Sequence, residues 1–143
     1  MVGRRNVTEN EQRRPRLVLA DDHPDILDEV RGLLASGFDV LCTVTESNAL
    51  LQAVAELRPD AVISDIRMPG LGGIEAGRQI VRQGLSNAVI VLSMCNEPHL
   101  VGKALQAGIR GYVLKVDASE ELIPAIHAVL GGGSYLSRGV SDN

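Results

Sequence analysis

Residues 16–24 read RLVLADDHP, and this stretch decides the fold that we predict. The apolar run at 17–20 leads directly into Asp21 and Asp22, and Pro24 suits the first turn of a helix. An apolar run without polar alternation is typical of a strand buried on both faces, as in a parallel sheet that helices cover. We therefore expect a strand whose carboxyl end presents two carboxylates.

Three further apolar runs end in a polar side chain that can take part in chemistry. Asp65 follows the run AVIS, Ser93 follows AVIVL, and Lys115 follows GYVL. The binding crevice of a parallel sheet lies beyond the carboxyl ends of its strands, where these side chains would meet. The sequence therefore predicts one site that contains carboxylates, a hydroxyl group and an ammonium group.

Strand-like runs alternate with helical patterns along the chain. A second strand is predicted over residues 38–43, the first helix starts near Pro24, and Asn96 is the expected N-cap of the fourth helix. The fifth helix starts at Ser119, with Pro124 late enough to imply a later start or a kink. Five strands alternating with five helices indicate an α/β fold with a doubly wound parallel sheet. No glycine fingerprint follows the first strand, which argues against a dinucleotide cofactor.

Composition limits the classes of protein that the chain can represent. Its 143 residues suffice for one domain with a core, and 45% hydrophobic with 2% aromatic residues imply a core of Val, Leu, Ile and Ala. Five arginines precede residue 17, and the remaining 9 basic and 16 acidic residues give the rest of the chain a net charge of −7. Such an acidic body is a poor surface for binding the nucleic-acid backbone.

The sequence also predicts the cellular location of the protein and the boundaries of its folded domain. Cys42 and Cys95 lack metal-ligand spacing and are expected to be free thiols in a reducing compartment. No apolar stretch approaches the roughly 18 residues of a membrane span, and no signal-type segment is present, so we expect a cytoplasmic protein. We expect a disordered basic tail at 1–15, a folded domain at 16–137, and a C-terminal tail or linker start at 138–143.

The predicted carboxylate cluster also suggests a metal. Three carboxylates gathered at one sheet edge repel one another unless a cation neutralises them. Oxygen ligands that leave positions open for water suit Mg²⁺, which can then bridge to a phosphate group. His23 is expected to cap the first helix or to lie beside this site.

Four motifs together resemble the receiver domain of two-component response regulators, over about residues 16–137. They are DDHP at 21–24, DIRMPG at 65–70, LSM at 92–94 and GYVLK at 111–115. With SYLS at 134–137, the last two are similar to the NarL/FixJ branch, in which a LuxR-type helix-turn-helix DNA-binding domain follows the receiver. The resemblance implies a flavodoxin-like sheet with strand order 2-1-3-4-5, so that the first and third strands are neighbours.

The resemblance also implies a role for each strand-end residue. Asp22, Asp65 and the backbone carbonyl of Arg67 would bind Mg²⁺, with Asp21 acting largely through water. Asp65 would be the nucleophile that accepts a phosphoryl group from a sensor histidine kinase. Lys115 would pair with the phosphoryl oxygens and offset the charge that develops during transfer.

A switch and its output are implied in the same way. Ser93 would donate a hydrogen bond to the phosphoryl group, and Tyr112, on the edge strand, would rotate from an exposed to a buried position. The surface around the fourth helix, fifth strand and fifth helix would then change and favour a homodimer. Transcription would be controlled through a DNA-binding domain that this chain does not include.

Two other functions share parts of this pattern. A stand-alone receiver would act through protein–protein interaction, with or without phosphorylation, although the complete set of site residues argues against a module that has lost phosphorylation. An aspartate-nucleophile phosphohydrolase would use the same carboxylate, Mg²⁺ and lysine chemistry. Such enzymes need an acid/base aspartate two residues after the nucleophile, where this chain has Arg67. We therefore expect a phosphoacceptor that catalyses only its own phosphorylation and dephosphorylation, and not an enzyme.

Overall fold

A computed structural model of the chain describes residues 13–140. The predictions made for residues 1–12 and 141–143 lie outside this range. Within it, six strands form a parallel sheet: β1 (Arg16–Ala20), β2 (Asp39–Val44), β3 (Ala61–Ser64), β4 (Val89–Ser93), β5 (Gly111–Leu114) and β6 (Tyr135–Leu136). The same range contains five α-helices: α1 (Pro24–Leu34), α2 (Ser47–Leu57), α3 (Gly73–Arg82), α4 (Pro98–Gln106) and α5 (Ala118–Leu130).

The order of the strands is β2-β1-β3-β4-β5-β6, and all five neighbouring pairs are parallel. The predicted α/β fold and the strand order 2-1-3-4-5 are therefore confirmed. The structure adds a sixth strand that was not predicted: β6 pairs with β5 through Gly111 opposite Tyr135 and Tyr112 opposite Leu136, so β5 is not the edge strand that we expected. A two-residue strand is too short to produce a periodic signal in the sequence.

Two hydrophobic clusters cover the two faces of the sheet. Successive side chains of β1 alternate between them, with Val18 in one cluster and Leu17 and Leu19 in the other. The first cluster includes buried residues of α2, α3 and α4, and the second includes those of α1 and α5. This double burial explains why the strands read as continuous apolar runs.

Two helix starts differ from the predictions. The expected N-cap Asn96 is wrong by one residue, because Pro98 takes the first helical position of α4 and Glu97 precedes it as N-cap. The last helix begins at Ala118 and runs through Pro124, so a later start is excluded. A 3₁₀ turn, Lys115–Asp117, connects β5 to this helix. None of the helices between residues 13 and 140 is both long and apolar enough to cross a bilayer.

The segment after β6 remains attached to the domain. Ser137 is fully buried, its Oγ accepts the N–H of Leu114 at 2.9 Å, and its own N–H donates to the carbonyl of Tyr112 at 2.9 Å. Val140 is also buried and belongs to the cluster on the α2–α4 face. Ser137 therefore lies beside β5, the strand that ends directly before Lys115.

Candidate functional site

The register of β1 and β3 brings two aspartates together at the carboxyl edge of the sheet. Ala20 pairs with Ser64, so Asp21 and Asp65 are the next residue on each strand. The N–H of Asp65 donates to the carbonyl of Ala20 at 2.9 Å, which extends the ladder by one bond. Both side chains are buried, whereas Asp22 points to the surface with 36% of its side chain exposed. The three predicted carboxylates therefore meet at one edge.

Lys115 reaches this pair of aspartates from the end of β5. Its Nζ lies 2.7 Å from Oδ2 of Asp21 and 3.1 Å from Oδ2 of Asp65, and 10% of the side chain is exposed. Burial lowers the pKa of Lys115, but the hydrogen bonds and charges of the two carboxylates outweigh it and raise the pKa above its usual value. The lysine is thus held as an ammonium ion between two buried carboxylates.

His23 was not assigned a functional role from the sequence, and it contacts both neighbouring aspartates. Its Nδ1 lies 3.0 Å from Oδ1 of Asp21 and 2.9 Å from Oδ1 of Asp22. Its main-chain N–H donates to the same oxygen of Asp21 at 2.9 Å. The only sequence signal for these contacts was its position directly after the two aspartates. Among residues 13–140, His23, Asp21, Asp22 and Asp65 form a group whose ligand atoms lie within 4.8 Å of one another.

Ser93 and Tyr112 are connected through the loop that follows β4. The Oγ of Ser93 accepts the N–H of Cys95 at 3.0 Å, and the hydroxyl of Tyr112 donates to the carbonyl of Cys95 at 2.5 Å. Tyr112 is fully buried, so the structure shows its inward orientation. Burial raises the pKa of Tyr112, a hydrogen bond with Ser93 opposes this shift, and the nearby negative charges, including Asp65 and Glu97, add to it.

An open cleft of about 460 Å³ gives access to the site. Its lining residues are His23, Asp65, Arg67, Ser93, Met94, Cys95, Asn96 and Lys115. Met94 is 81% exposed and stands at the rim of the cleft, a position that the apolar pattern of β4 did not indicate. Asp65 is therefore buried among its neighbours and yet faces a space large enough for a small phosphorylated group.

The loop between β3 and α3 is held close to Asp65. Gly73 donates its N–H to the carbonyl of Ile66 at 2.7 Å, and a Cβ on Gly73 would overlap the main-chain carbonyl of Asp65. Glycine is therefore required at this position, because only a residue without a side chain allows so close an approach. The loop includes Arg67, whose exposed side chain lines the cleft.

The donor set suits a divalent cation. Carboxylate oxygens are hard ligands, and three of them beside a single ammonium group leave an excess of negative charge for a cation to neutralise. The side chains of Asp21, Asp22 and Asp65 are close enough to act together on one ion. The acidic cluster could therefore bind a metal.

A doubly wound parallel sheet that gathers aspartates and a lysine at its carboxyl edge defines the class of signalling domain known as a receiver. The family model described as "Response regulator receiver domain" matches residues 17–127, and the chain belongs to this family. The resemblance stated from the four motifs is thereby confirmed.

Named relatives agree with this assignment. Response regulator GacA of Pseudomonas aeruginosa is 33% identical over 124 residues, which are 85% of this chain and 58% of that protein. A LuxR-family two-component response regulator from Aurantimonas sp. SI85-9A1 has a TM-score of 0.85 at 32% identity, over 91% of this chain and 94% of the other. The isolated REC domain of RcsB from Salmonella enterica serovar Typhimurium, solved with the phosphomimetic BeF₃⁻, has a TM-score of 0.82 at 30% identity, over 91% and 98%. The chain thus spans little more than half of its full-length relative GacA.

Proposed function

We propose that this receiver accepts a phosphoryl group on Asp65 from a sensor histidine kinase, in a reaction that depends on Mg²⁺. The observation that carries the proposal is the convergence of Asp65, Asp21 and Lys115, of which Asp65 and Lys115 line an open cleft. A buried carboxylate that faces such a cleft can act as a nucleophile, because a phosphodonor can reach it through the cleft while the neighbouring side chains fix its orientation.

The transfer uses these side chains as follows. An Oδ atom of Asp65 attacks the phosphorus of a phosphohistidine, the new O–P bond forms, and the P–N bond breaks with its electron pair going to the departing imidazole. Lys115, already 3.1 Å from Oδ2 of Asp65, turns its ammonium group toward the transferred phosphoryl oxygens and offsets their charge. The product is an acyl phosphate on the protein.

Mg²⁺ would be held by Asp22, Asp65 and the backbone carbonyl of Arg67, with Asp21 acting largely through water. When bound, it supplies charge neutralisation for the phosphoryl oxygens, as divalent cations do in phosphoryl transfer. The cluster of carboxylates around Asp65 is the chemical basis for this assignment.

Ser93 and Tyr112 provide a readout of the modification. The hydroxyl oxygen of Ser93 accepts a hydrogen bond from the N–H of Cys95, and its own O–H can rotate to donate to a phosphoryl oxygen. Tyr112 bonds the carbonyl of the same Cys95, so a movement of the loop at Ser93 also changes the position of Tyr112. The relative populations of two arrangements of the surface around α4, β5 and α5 then change.

The output is transcriptional control by a phosphorylation-dependent homodimer, exerted through a DNA-binding domain linked to this receiver. Support comes from relatives that are described as transcriptional activators and from a structure described as two RcsB dimers bound to DNA. An acidic receiver would not itself bind DNA well. Hydrolysis of separate substrates is disfavoured, because Arg67 occupies the position of the acid/base aspartate.

The test is phosphorylation by acetyl phosphate with Mg²⁺, followed by intact-protein mass spectrometry. Wild type should gain the mass of one phosphoryl group, Asp65→Asn should gain none, and the control Asp28→Asn, on the exposed face of α1, should match wild type. Circular dichroism checks that each variant is folded. A folded wild type that gains no mass would refute the phosphoacceptor function, and equal labelling of Asp65→Asn would refute the assignment of Asp65.

A further inference from the structure

The side chain of Ser47 connects α2 to the loop that follows Asp65. Its hydroxyl donates to the carbonyl of Pro69 at 3.2 Å, and its Oγ accepts the N–H of Leu71 at 2.6 Å. The main-chain N–H of Ser47 donates to the same carbonyl of Pro69 at 3.1 Å. One residue of α2 is therefore tied to the loop between β3 and α3 by three hydrogen bonds.

Ser47 is held in a fixed position by the helix that it begins. It is fully buried, and Leu50 and Val54 of the same helix pack in the core. Gly70, with a φ of +95°, lets the loop turn beside Ser47, and a Cβ on Gly70 would overlap the serine Oγ. The loop therefore packs against this hydroxyl group as closely as a glycine allows.

The segment that these bonds hold contains Arg67, whose backbone carbonyl is a proposed ligand of Mg²⁺. Within residues 13–140, no hydrogen bond fixes the main-chain N–H or carbonyl of Arg67 itself. On one side, the carbonyl of Ile66 accepts the N–H of Gly73 at 2.7 Å, and on the other side the carbonyl of Pro69 accepts from Ser47. The position of the Arg67 carbonyl therefore depends on these two fixed points.

We infer that Ser47 is a positioning residue for the phosphorylation site, because it fixes the loop that carries the Arg67 carbonyl. A main-chain carbonyl can change its position only when the loop moves with it. Residues that orient metal ligands contribute about 10- to 100-fold to metal affinity. This inference rests on the proposed metal-dependent phosphorylation and adds to it a residue that does not line the cleft.

Ser86 provides a matched control at the opposite edge of the sheet, before β4 begins. Its hydroxyl also accepts a main-chain N–H, from Ala88 at 3.2 Å, and donates to a carbonyl, that of Asp60 at 3.4 Å. Ser47→Ala and Ser86→Ala therefore remove the same kind of group, and both should lower the midpoint of urea unfolding. Only the loss of the Ser47 hydroxyl should affect the phosphorylation site.

The test measures the dissociation constant of Mg²⁺ by calorimetry and the rate of phosphorylation by acetyl phosphate as a function of Mg²⁺ concentration. In Ser47→Ala, the dissociation constant and the Mg²⁺ concentration for half-maximal rate should both rise by at least about tenfold. The rate at saturating Mg²⁺ should change much less. Both Mg²⁺ quantities should stay within about twofold of wild type in Ser86→Ala and within about threefold in Ser47→Thr, which keeps the hydroxyl group. Hydrogen exchange of the Leu71 amide should be faster in Ser47→Ala alone.

Separate results would overturn the inference and the proposed function. An unchanged Mg²⁺ affinity in Ser47→Ala, or the same loss in Ser86→Ala, would refute the role of Ser47 and leave phosphorylation of Asp65 intact. The same loss in Ser47→Thr as in Ser47→Ala would show that the hydroxyl group does not position the loop. If wild type bound Mg²⁺ but gained no phosphoryl mass, the proposed function would fail, and calorimetry would still decide the role of Ser47. A folded wild type that did neither would overturn both.

Discussion

Lys115 is one of only two lysines in the chain, and its replacement offers a direct measure of the charge balance at the site. Its Nζ contacts two carboxylates whose side chains are 4% and 7% exposed, those of Asp21 and Asp65. Lys115→Met keeps most of the apolar stem and removes the charge. Removing one partner of a buried ion pair costs about 3–5 kcal/mol, because the other charge stays buried without compensation. We expect a loss of about 3 kcal/mol, near the lower limit, because the site faces an open cleft.

A divalent cation should restore much of this loss. An ion that binds only the folded state stabilises it by about 2.7 kcal/mol when its concentration is 100 times its dissociation constant. Lys115 would compete with such an ion for Asp21 and Asp65 in wild type. The variant should therefore bind Mg²⁺ more tightly than wild type and should gain more stability from it.

The assay is urea unfolding followed by far-ultraviolet circular dichroism, in chelator and in excess Mg²⁺. Lys103→Met is the matched control, because Lys103 is exposed on α4 and its loss should change stability by less than about 0.5 kcal/mol. A loss below about 1 kcal/mol for Lys115→Met in chelator would refute the reasoning. A loss of stability in Lys115→Met that excess Mg²⁺ does not reduce would also refute it.

The pH dependence of the same variant gives an independent check. The pKa of Lys115 is raised in the folded state, so its contribution to stability is complete below the unfolded pKa of about 10.4. That contribution is lost as the pH rises through the folded pKa. Wild type should therefore lose stability in this alkaline range more steeply than Lys115→Met.

Two further predictions concern β5 and β6. The chain has two tyrosines and no tryptophan, and burial raises the pKa of both Tyr112 and Tyr135. Tyrosinate absorbance should therefore appear only above pH ~10, and the free energy of unfolding should fall in that range. Part of the rise in absorbance should coincide with unfolding, and Tyr112→Phe, but not Tyr135→Phe, should remove that part. Titration of Tyr112 in the intact fold would contradict this prediction. Ser137→Ala should cost about 1–3 kcal/mol in urea unfolding, because the buried N–H of Leu114 loses its acceptor, whereas exposed Ser134→Ala should be neutral. Equal stability of the two serine variants would contradict the second prediction.

The place of each aspartate at the carboxyl edge of the sheet could be predicted, because each follows directly after an apolar run. An apolar run without polar alternation is typical of a strand buried on both faces, and a polar residue that follows it lies at the carboxyl edge of the sheet. Asp21 and Asp65 therefore needed no side-chain information beyond their position after a strand. The pairing of β1 with β3 came from the family resemblance, which the structure confirmed.

The contacts that depend on side-chain direction could not be predicted from the sequence. The position of His23 after two aspartates does not tell whether its ring turns toward them or toward the solvent. Tyr112 was placed on an edge strand, because the two residues of β6 are too few to show a period. The N-cap of α4 shifted by one residue, since the choice between Asn96 and Glu97 depends on the exact position that Pro98 takes in the first turn.

The charges at the sheet edge should make the proposed metal binding and the proposed phosphorylation interdependent. Three carboxylates face one ammonium group and one histidine ring, so the site is already short of positive charge. A phosphoryl group on Asp65 would add roughly −1.5 to −2 charge at the point where Asp21 competes for the same lysine. If Lys115 turns to the phosphoryl oxygens, Asp21 loses its ammonium partner and keeps only its contacts with His23, so a bound cation should stabilise it. Binding of the ion should therefore favour phosphorylation, and by linkage phosphorylation should favour binding of the ion by the same free energy.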